Sequence, residues 1–217
     1  MECIMNYYYI ADVELKANKQ IIYHDVWPKN SIPKRAAKGA EHVATFTVIA
    51  GAESTVHVKR LFKITDFEKW IKGETHNYRP DSWADMCWNV KLTLLSPEDY
   101  SEMEAFYEEG WSDKPDAENW YIWTDIDLKP NKQKEYHKYW QQEGRKEAEA
   151  IGLAHVATFT VISGPESNVH VKRLYKITDL EKWVNGERNH VHSDKWAELA
   201  YEAKSTLVAP EPYSHFR

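Results

Sequence analysis

The chain contains one sequence unit twice. With a shift of 113 residues, the second part of the chain aligns with the first without a gap. Residues 42–74 recur as residues 155–187, and 26 of these 33 positions are identical. A unit that recurs in this way folds into two similar substructures that pack against each other. The repeat therefore restricts the possible folds more strongly than any other feature of the sequence.

The repeat also predicts the organisation of the chain. We expect residues 1–101 to form the first repeat and residues 119–217 the second, with residues 102–118 as the connector. The connector is rich in Glu and Asp, which indicates a solvated segment. Its aromatic residues Phe106, Tyr107 and Trp111 indicate that part of it packs as a short helix.

Charge and composition argue against several classes of protein. The net charge is −6 and there is no run of Lys and Arg, whereas general nucleic-acid binding needs a basic surface. No apolar stretch approaches the ~20 residues of a membrane-spanning helix, and the first ten residues lack the features of a signal peptide. Cys3 and Cys87 have neither metal-type spacing nor the pattern of a disulfide framework. We therefore expect a cytoplasmic protein with reduced thiols that binds neither nucleic acid nor a membrane.

The second repeat shows the order of the secondary-structure elements clearly. Residues 121–128 alternate between two kinds of side chain, which predicts a strand. The patterns that follow predict, in order, a helix over 132–151, strands over 154–163 and 168–177, a short helix, a helix over 194–204 and a strand over 206–209. The first repeat has the same order, although Pro28 and Pro33 are predicted to shorten or kink its first helix.

Residues 178–181 have the pattern of a capping box. Thr178 is followed three residues later by Glu181, and this arrangement satisfies two backbone N–H groups at the start of a helix. We therefore expect the short helix after the third strand to begin with Thr178 as its N-cap.

The order β-α-β-β-α-β is the ferredoxin-like arrangement. It gives a four-stranded antiparallel sheet with helices on one face, and the other face needs a partner. Two repeats in one chain can cover each other's bare face. The predicted fold is therefore α+β, with two tandem ferredoxin-like βαββαβ repeats packed sheet to sheet as an intramolecular dimeric α/β barrel.

Each repeat also resembles a known type of domain. The similarity lies in a first strand that begins with Tyr, a Val-His pair at the third strand (56–57 and 169–170) and Asp-x-Trp before the last helix (81–83 and 194–196). With these motifs, each repeat resembles a NIPSNAP-like domain of the dimeric α/β-barrel superfamily. That superfamily includes cofactor-free monooxygenases, polyketide cyclases, isomerases, haem-handling enzymes and proteins without known activity. The resemblance therefore implies the barrel fold but no single reaction.

The polar side of the first strand in each repeat is expected to face the space between the two sheets. This side carries Tyr8 and Asp12 in the first repeat, and Tyr121, Trp123 and Asp125 in the second. Its apolar counterpart is expected to lie under the helices. These aromatic rings would line a cavity for a small apolar or aromatic molecule.

The third strand adds His57 and Lys59, with His170 and Lys172 in the second repeat, to the same space. Arg60 and Arg173 fall on its other side unless a bulge intervenes. His57 and His170 are candidate bases, because a His near neutral pKa beside an Asp can transfer protons. The candidate catalytic residues are therefore His57, His170, Asp12 and Asp125, and the candidate ligand-binding residues are Tyr8, Tyr121, Trp123, Lys59, Lys172, Arg60 and Arg173. In the alternative interpretation, the two aspartates form structural ion pairs with these lysines or arginines.

The other histidines have weaker functional signals. His42 and His155 open the second strand of each repeat, where a surface or edge position is expected. His24 and His137 lie on the first helix, outside the barrel, where solvation or packing is expected. His190 and His192 alternate and could bind a metal, but no third ligand is evident, so no metal site and no cofactor are predicted.

The sequence leaves two classes of function open. One is a cofactor-independent enzyme or binding protein with an apolar cavity between the sheets, acting as an oxygenase, cyclase or isomerase. The other is a non-enzymatic interaction or assembly protein, and a haem-binding protein is a weaker third possibility. The fused repeats complete the barrel within one chain, so either a monomeric pseudo-dimer or a homo-oligomer is consistent with the sequence.

Overall fold

A computed structural model describes residues 6–51, 55–75, 81–107, 119–165, 168, 170–189 and 193–216. The predictions for Cys3, Trp111, His190 and His192 lie outside these residues. The described strands are β1 (Tyr7–Leu15), β2 (Ala40–Gly51), β3 (Val58–Ile64), β4 (Cys87–Pro97), β5 (Tyr121–Leu128), β6 (Leu153–Ser163), β7 (Val171–Ile177) and β8 (Ala200–Pro210). The described α-helices are α1 (Gln20–Asn30), α2 (Ile32–Ala37), α3 (Phe67–Thr75), α4 (Asp81–Met86), α5 (Gln133–Tyr139), α6 (Arg145–Ala150), α7 (Leu180–Asn189) and α8 (Asp194–Leu199).

The strands form one closed antiparallel barrel. Their order around it is β1-β3-β2-β8-β5-β7-β6-β4, and β4 pairs with β1 to close it. The first half (β1–β4 with α1–α4) and the second half (β5–β8 with α5–α8) meet at two seams, where β2 pairs with β8 and β4 pairs with β6. Closure removes free strand edges. The predicted α+β class and the barrel are confirmed.

Strand alternation gives the barrel an inner and an outer face. On β1, Tyr8 and Ile10 belong to the cluster inside the barrel, whereas Tyr9 and Val13 pack beneath the helices of the first half. The inner cluster includes aromatic residues from both halves and from the chain end: Tyr8, Phe46, Tyr121, Trp123, Phe159 and Phe216. The expected division of β1 and β5 into an inner and an outer side agrees with these clusters.

The segment that follows the last strand of each half reaches across to the other half. Ser101 Oγ accepts a hydrogen bond from Thr158 N at 3.1 Å and donates one to Thr158 O at 3.0 Å. Ser214 makes the same two bonds with Thr45, at 2.9 and 2.8 Å. Because the two exchanges are equivalent, each half contributes to holding the other in the barrel.

The short helix expected around Phe106 is present. Residues 103–106 form a single 3₁₀ turn, in which Met103 is buried in the inner cluster and Phe106 packs against that cluster. This turn covers one part of the barrel interior.

The first helical segment of each half is interrupted, but in different ways. In the first half, α1 contains Pro28 and ends at Asn30, and α2 begins after Ser31. This interruption was expected from the two prolines. In the second half, a π-helical turn over Trp140–Gly144 separates α5 from α6. The helical segment is therefore present as predicted, but it is not one continuous α-helix. A Cβ on Gly144 would lie 2.7 Å from Trp140 Cε3, so glycine permits the ring to pack against the turn.

The predicted end of the last helix was wrong. Helix α8 ends at Leu199 and β8 begins at Ala200, whereas the sequence pattern extended the helix to Lys204. Residues 200–208 pair with β5 instead, and the hydrogen bonds of that ladder outweigh the local helical preference of this segment.

The predicted capping residue was also wrong. Asp179 caps α7, because its Oδ1 accepts a hydrogen bond from Lys182 N at 3.0 Å. The Thr178 hydroxyl instead donates to Gly152 O at 2.9 Å, which ties the start of the helix to the loop before β6. Asp66 plays the same capping role in the first half, where its Oδ1 accepts from Lys69 N at 3.0 Å.

Candidate functional site

Two Lys–Asp ion pairs lie on the inner face of the barrel. Lys59 Nζ donates to Asp12 Oδ1 at 2.9 Å, and Lys172 Nζ donates to Asp125 Oδ1 at 2.7 Å. In each pair the two residues are direct neighbours across adjacent strands. The contacts therefore agree with the structural ion pairs that the sequence left as an alternative.

Asp12 is held in its charged form by the lysines around it. Burial acts to raise the pKa of its carboxyl group, but Lys59 and Lys172 outweigh burial and hold that pKa below its usual value. The influence of Lys172 shows that the two ion pairs affect each other across the barrel. A carboxylate in this setting is a poor proton acceptor at neutral pH.

His57 and His170 bind the backbone at equivalent positions. Leu15 N donates to His57 Nδ1, and Leu128 N donates to His170 Nδ1, both at 3.1 Å. These bonds fasten the end of the first strand of each half to the segment before its third strand. The hydrogen bond described for Asp12 comes from Lys59, and the one described for His57 comes from Leu15 N. These contacts do not form the expected His–Asp pair.

The aromatic candidates inside the barrel pack against other rings. Tyr8 and Phe159 have ring centroids 5.7 Å apart, as do Tyr121 and Phe46, while Trp123 stacks on Phe159 at 6.1 Å. Burial raises the pKa of Tyr8 to about 12. These rings form part of the packed interior of the barrel.

A cavity of about 240 Å³ lies elsewhere, between the outer face of the second-half sheet and its helices. This place differs from the predicted one, because the sequence placed a cavity between the two sheets. Among the candidate ligand-binding residues, Arg173 contributes to the lining. The other lining residues are Ile122, Thr124, Ile126, Tyr136, Tyr139, Trp140, Gly144, Glu147, Ala148, Ile151, Leu153, Tyr175, Glu187, Trp196, Ala203 and Ser205.

Arg173 is the buried cation of this cavity, and 2% of its surface is exposed. Its Cζ lies 3.3 Å from the centroid of the Trp140 ring. Its Nε donates to Thr158 Oγ1 at 2.9 Å, and its Nη1 donates to Tyr175 Oη at 3.2 Å. These contacts fix the guanidinium plane, while its remaining nitrogen, Nη2, is buried without a hydrogen-bond partner.

Two further polar atoms of the cavity lining have no hydrogen-bond partner. They are Tyr136 Oη and Trp140 Nε1, both buried. Burial raises the pKa of Tyr136 above its ordinary value, so its hydroxyl keeps its proton. Together with Arg173 Nη2, they are three buried donors for which no hydrogen bond is found, and all three belong to residues that line one cavity.

Glutamates lie at the more exposed part of the lining. Glu147 is partly buried and accepts a hydrogen bond from Tyr139 Oη at 2.6 Å. Glu187 is exposed. The cavity thus has a buried positive group and negative groups nearer to solvent.

The buried His155 contacts the same threonine hydroxyl as Arg173. His155 Nε2 lies 2.9 Å from Thr158 Oγ1, the same oxygen that accepts from Arg173 Nε. Burial, followed by the charges of Arg173 and Arg145, lowers the pKa of His155 to about 3. His155 therefore stays neutral and serves as a fixed polar support.

The expected surface or edge position of His42 and His155 was wrong. Their exposed fractions are 6% and 2%. Residues from the opposite half cover them, since Tyr213 packs on His42 and Tyr100 packs on His155. This cover is a tertiary effect of the crossing segments.

His24 and His137 pack as expected for residues on outer helices. His24 Nδ1 lies 2.9 Å from Tyr213 Oη, and His137 Nδ1 lies 2.7 Å from Tyr100 Oη. Both bonds join one half of the barrel to the other, so these histidines belong to the seams.

Arg60 is the first-half counterpart of Arg173. It is 2% exposed, and its Cζ lies 3.9 Å from the ring centroid of Trp27 and 5.3 Å from that of Trp83. Its Nε and Nη1 are buried without partners. Two indoles therefore hold this guanidinium.

Sequence reasoning missed Tyr136 and Trp140 as site residues. The available signal was their retention as Tyr23 and Trp27 in the other copy, together with a retained Arg on the outer face of the third strand.

The donor set of this cavity lacks most of the usual ligands of haem iron, which is held by His, Cys, Met or Tyr. The lining residues include no His, Cys or Met, and the hydroxyl of Tyr139 is engaged by Glu147 and Ser193. Among the described residues, no cluster of three or more His, Cys, Asp or Glu is arranged to hold a metal ion.

Comparisons with known proteins identify the fold. No protein-family model matches the chain, and no curated protein matches it in sequence. Solved structures do match in fold. An anthrone oxidase-like protein has a TM-score of 0.60 and 12% identity, covering 97% of this chain and 92% of its own.

Two further structures have the same fold. A putative monooxygenase from Fusobacterium nucleatum has a TM-score of 0.57 at 11% identity, covering 95% of this chain and 92% of its own. A mutant chlorite dismutase from Candidatus Nitrospira defluvii, in complex with cyanide, has a TM-score of 0.60 at 10% identity, covering 95% and 91%. The chain therefore has the dimeric α/β-barrel fold that these proteins share.

Within the described residues, no helix is both long and apolar enough to cross a membrane.

Proposed function

We propose that the protein binds a small aromatic molecule in the second-half cavity and transforms it. The observation that carries this proposal is the cavity of about 240 Å³, walled by aromatic and aliphatic side chains and supplied with a few unused polar groups. That combination is typical of small-molecule sites. A cavity of about 150 Å³ accepts benzene, so this one suits a single ring with substituents.

The described neighbours support chemistry on small molecules. They include structures described as putative monooxygenases and as anthrone oxidase-like. By that analogy we propose a cofactor-independent reaction of oxygenase, cyclase or isomerase type. The proposal gives Asp12, Asp125, His57 and His170 structural roles, since none of them lines the cavity.

We also propose an evolutionary origin, an oligomeric state and a cellular location for the protein. We propose that its halves arose by tandem duplication of a NIPSNAP-like unit, in which residues 1–101 and 119–217 are the repeats and 102–118 the connector. The internal identity and the equivalent crossing bonds of Ser101 and Ser214 support this origin. The protein is then a monomeric pseudo-dimer that acts in the cytoplasm.

Binding of benzoate, benzamide and phenol, followed by ligand-observed NMR and calorimetry, tests the proposed site. We expect at least one of these probes to bind the wild-type protein. Ile122→Tyr introduces into the cavity wall the residue that the first half has at Tyr9, and it should abolish binding. Ile162→Tyr is the matched control, because Ile162 is 51% exposed and lies outside the lining.

Two results would contradict the proposal. One is the absence of binding by all three probes to the wild-type protein. The other is equal binding to the Ile122→Tyr and Ile162→Tyr variants, which would locate the probes outside this cavity.

A further inference from the structure

Arg173 carries a buried positive charge beside the cavity. No carboxylate forms an ion pair with it among the described residues, although a guanidinium is always protonated in proteins. A buried charge is costly unless it is paired. The Trp140 ring at 3.3 Å and two hydrogen bonds offset part of this cost, but Nη2 remains without a partner.

The unused groups of the cavity favour a ligand that accepts hydrogen bonds. An Arg nitrogen and an indole nitrogen can only donate, and Tyr136 keeps its proton because burial raises its pKa. A carboxylate has two acceptor oxygens in one plane, which match the planar donors of a guanidinium. Charge and hydrogen-bond type therefore favour the same ligand group.

The remaining lining sets the rest of the ligand. Ile122, Ile151 and Leu153 provide apolar walls, and Trp196 provides an aromatic one. Glu147 and Glu187 disfavour a second negative charge near the entrance. The repulsion between these glutamates and the second charge of a dianion would offset part of the attraction between the dianion and Arg173.

We infer that the ligand of this cavity is an aromatic monocarboxylate, whose carboxylate contacts Arg173, Trp140 and Tyr136 while its ring lies against the apolar walls. This inference rests on the proposed function, since it names the ligand class of the same site. It also assigns Arg173 as the residue that determines specificity for an acid over its neutral analogue.

Arg60 supplies the matched comparison. It is equally buried and also has nitrogens without partners, so an orphaned Arg nitrogen alone does not define a ligand site. Arg173 lines the cavity described above, and Arg60 does not line it. A variant at Arg60 therefore controls for the general effect of removing a buried guanidinium.

Calorimetry with benzoate, its neutral analogue benzamide and the dianion phthalate tests the inference. We expect benzoate to bind wild-type protein at least about tenfold more tightly than benzamide, since hydrogen bonds between charged groups are stronger than those to a neutral group. Phthalate should bind more weakly than benzoate. In the Arg173→Gln variant the preference for benzoate over benzamide should disappear, whereas Arg60→Gln should retain it and Arg173→Lys should retain part of it.

The outcomes separate this inference from the proposed function. If benzamide binds as tightly as benzoate to wild-type protein, or if Arg173→Gln keeps the preference, the inference is overturned while the aromatic cavity stands. If no probe binds, both are overturned. The wild-type benzoate-to-benzamide ratio needs no variant, so a failure of Arg173→Gln to fold leaves the test intact.

Discussion

The two halves of the barrel carry the same buried Arg, Tyr and Trp but surround them differently. Arg60 with Tyr23 and Trp27 in the first half corresponds to Arg173 with Tyr136 and Trp140 in the second. In each set the indole lies against the guanidinium, with its centroid at 3.9 Å in the first half and 3.3 Å in the second. The shared set is therefore a structural element of both halves, and in the second half it borders the cavity of about 240 Å³.

The difference arises from the residues around that set. In the first half Tyr9 stacks on Phe62 at 4.7 Å and on Trp70 at 5.3 Å, and its ring fills the space between sheet and helix. Its counterpart Ile122 has no ring and lines the cavity. The smaller side chain therefore contributes to the open space at this position.

Two other positions in the second half also have smaller side chains than their counterparts in the first half. Arg35 and Glu74 form an ion pair across the helices of the first half, whereas the counterpart of Arg35 in the second half is Ala148, which lines the cavity. Ser205 replaces Leu92 on the sheet. The two halves therefore differ in the side chains that fill the space between sheet and helices.

The largest expected effect concerns a feature that the halves share, the inner ion pairs. Lys59→Met leaves Asp12 buried without its partner, and we expect it to lower the free energy of unfolding by about 3–5 kcal/mol. Lys172→Met should cost less, because the Asp125 side chain is 12% exposed against 6% for Asp12. Urea unfolding monitored by tryptophan fluorescence measures both.

The double variant Asp12→Leu/Lys59→Met provides the control. It removes both charges, so most of the lost stability should return. A cost below about 1 kcal/mol for Lys59→Met would show that the pair behaves like an exposed one and would contradict its position inside the barrel.

The second effect tests the filling of the first half. Tyr9→Ile gives that half the residue of the other and should open a cavity between sheet and helix. We expect a loss of about 2–4 kcal/mol in the free energy of unfolding, from lost ring contacts and the space left behind. Thermal and urea unfolding measure the loss.

The control for this change is Tyr7→Ile at the start of the same strand. Tyr7 is only partly buried, so the same substitution there should cost clearly less. Equal costs at both positions would show that Tyr9 does not fill the first half, and the contrast between the halves would then need another explanation.

The sequence predicted the parts of the fold that follow from local periodicity. Strand β5 covers residues 121–128 as expected, and the inner and outer faces of β1 follow from alternation. A structural ion pair of Asp12 with Lys59 or Arg60 was among the open alternatives, and the strand register of the structure places Asp12 opposite Lys59. Register and alternation are properties of a strand pair, and a repeated sequence shows them twice.

The cavity could not be predicted in the same way. Tyr9 and Ile122 are both apolar residues on outer faces, and nothing local distinguishes the one that fills its space. The void depends on side chains from β5, α6, β7 and β8 together. Likewise, His42 and His155 are buried by segments from the opposite half, which local sequence does not reveal.

The smallest expected effect asks whether those two buried histidines behave alike. Burial, with His215 and Arg60 next, lowers the pKa of His42 from 6.5 to about 3, and burial with Arg173 and Arg145 lowers that of His155 to about 3. The unfolded chain therefore binds more protons below pH 6.5, and stability falls as the pH decreases from about 6.5 toward 3. At pH 5.5 each histidine should cost about 1.4 kcal/mol relative to pH 7.5.

Urea unfolding at pH 7.5, 6.5 and 5.5 measures this slope, with His42→Gln and His155→Gln as the variants. Each variant should flatten the loss of stability by a similar amount, and the double variant should add the two effects, because the histidines lie in different halves. His57→Gln is the control, since His57 is only partly buried. If only one variant flattens the slope, one half opens its seam more easily than the other, and the two halves differ in cohesion as well as in filling.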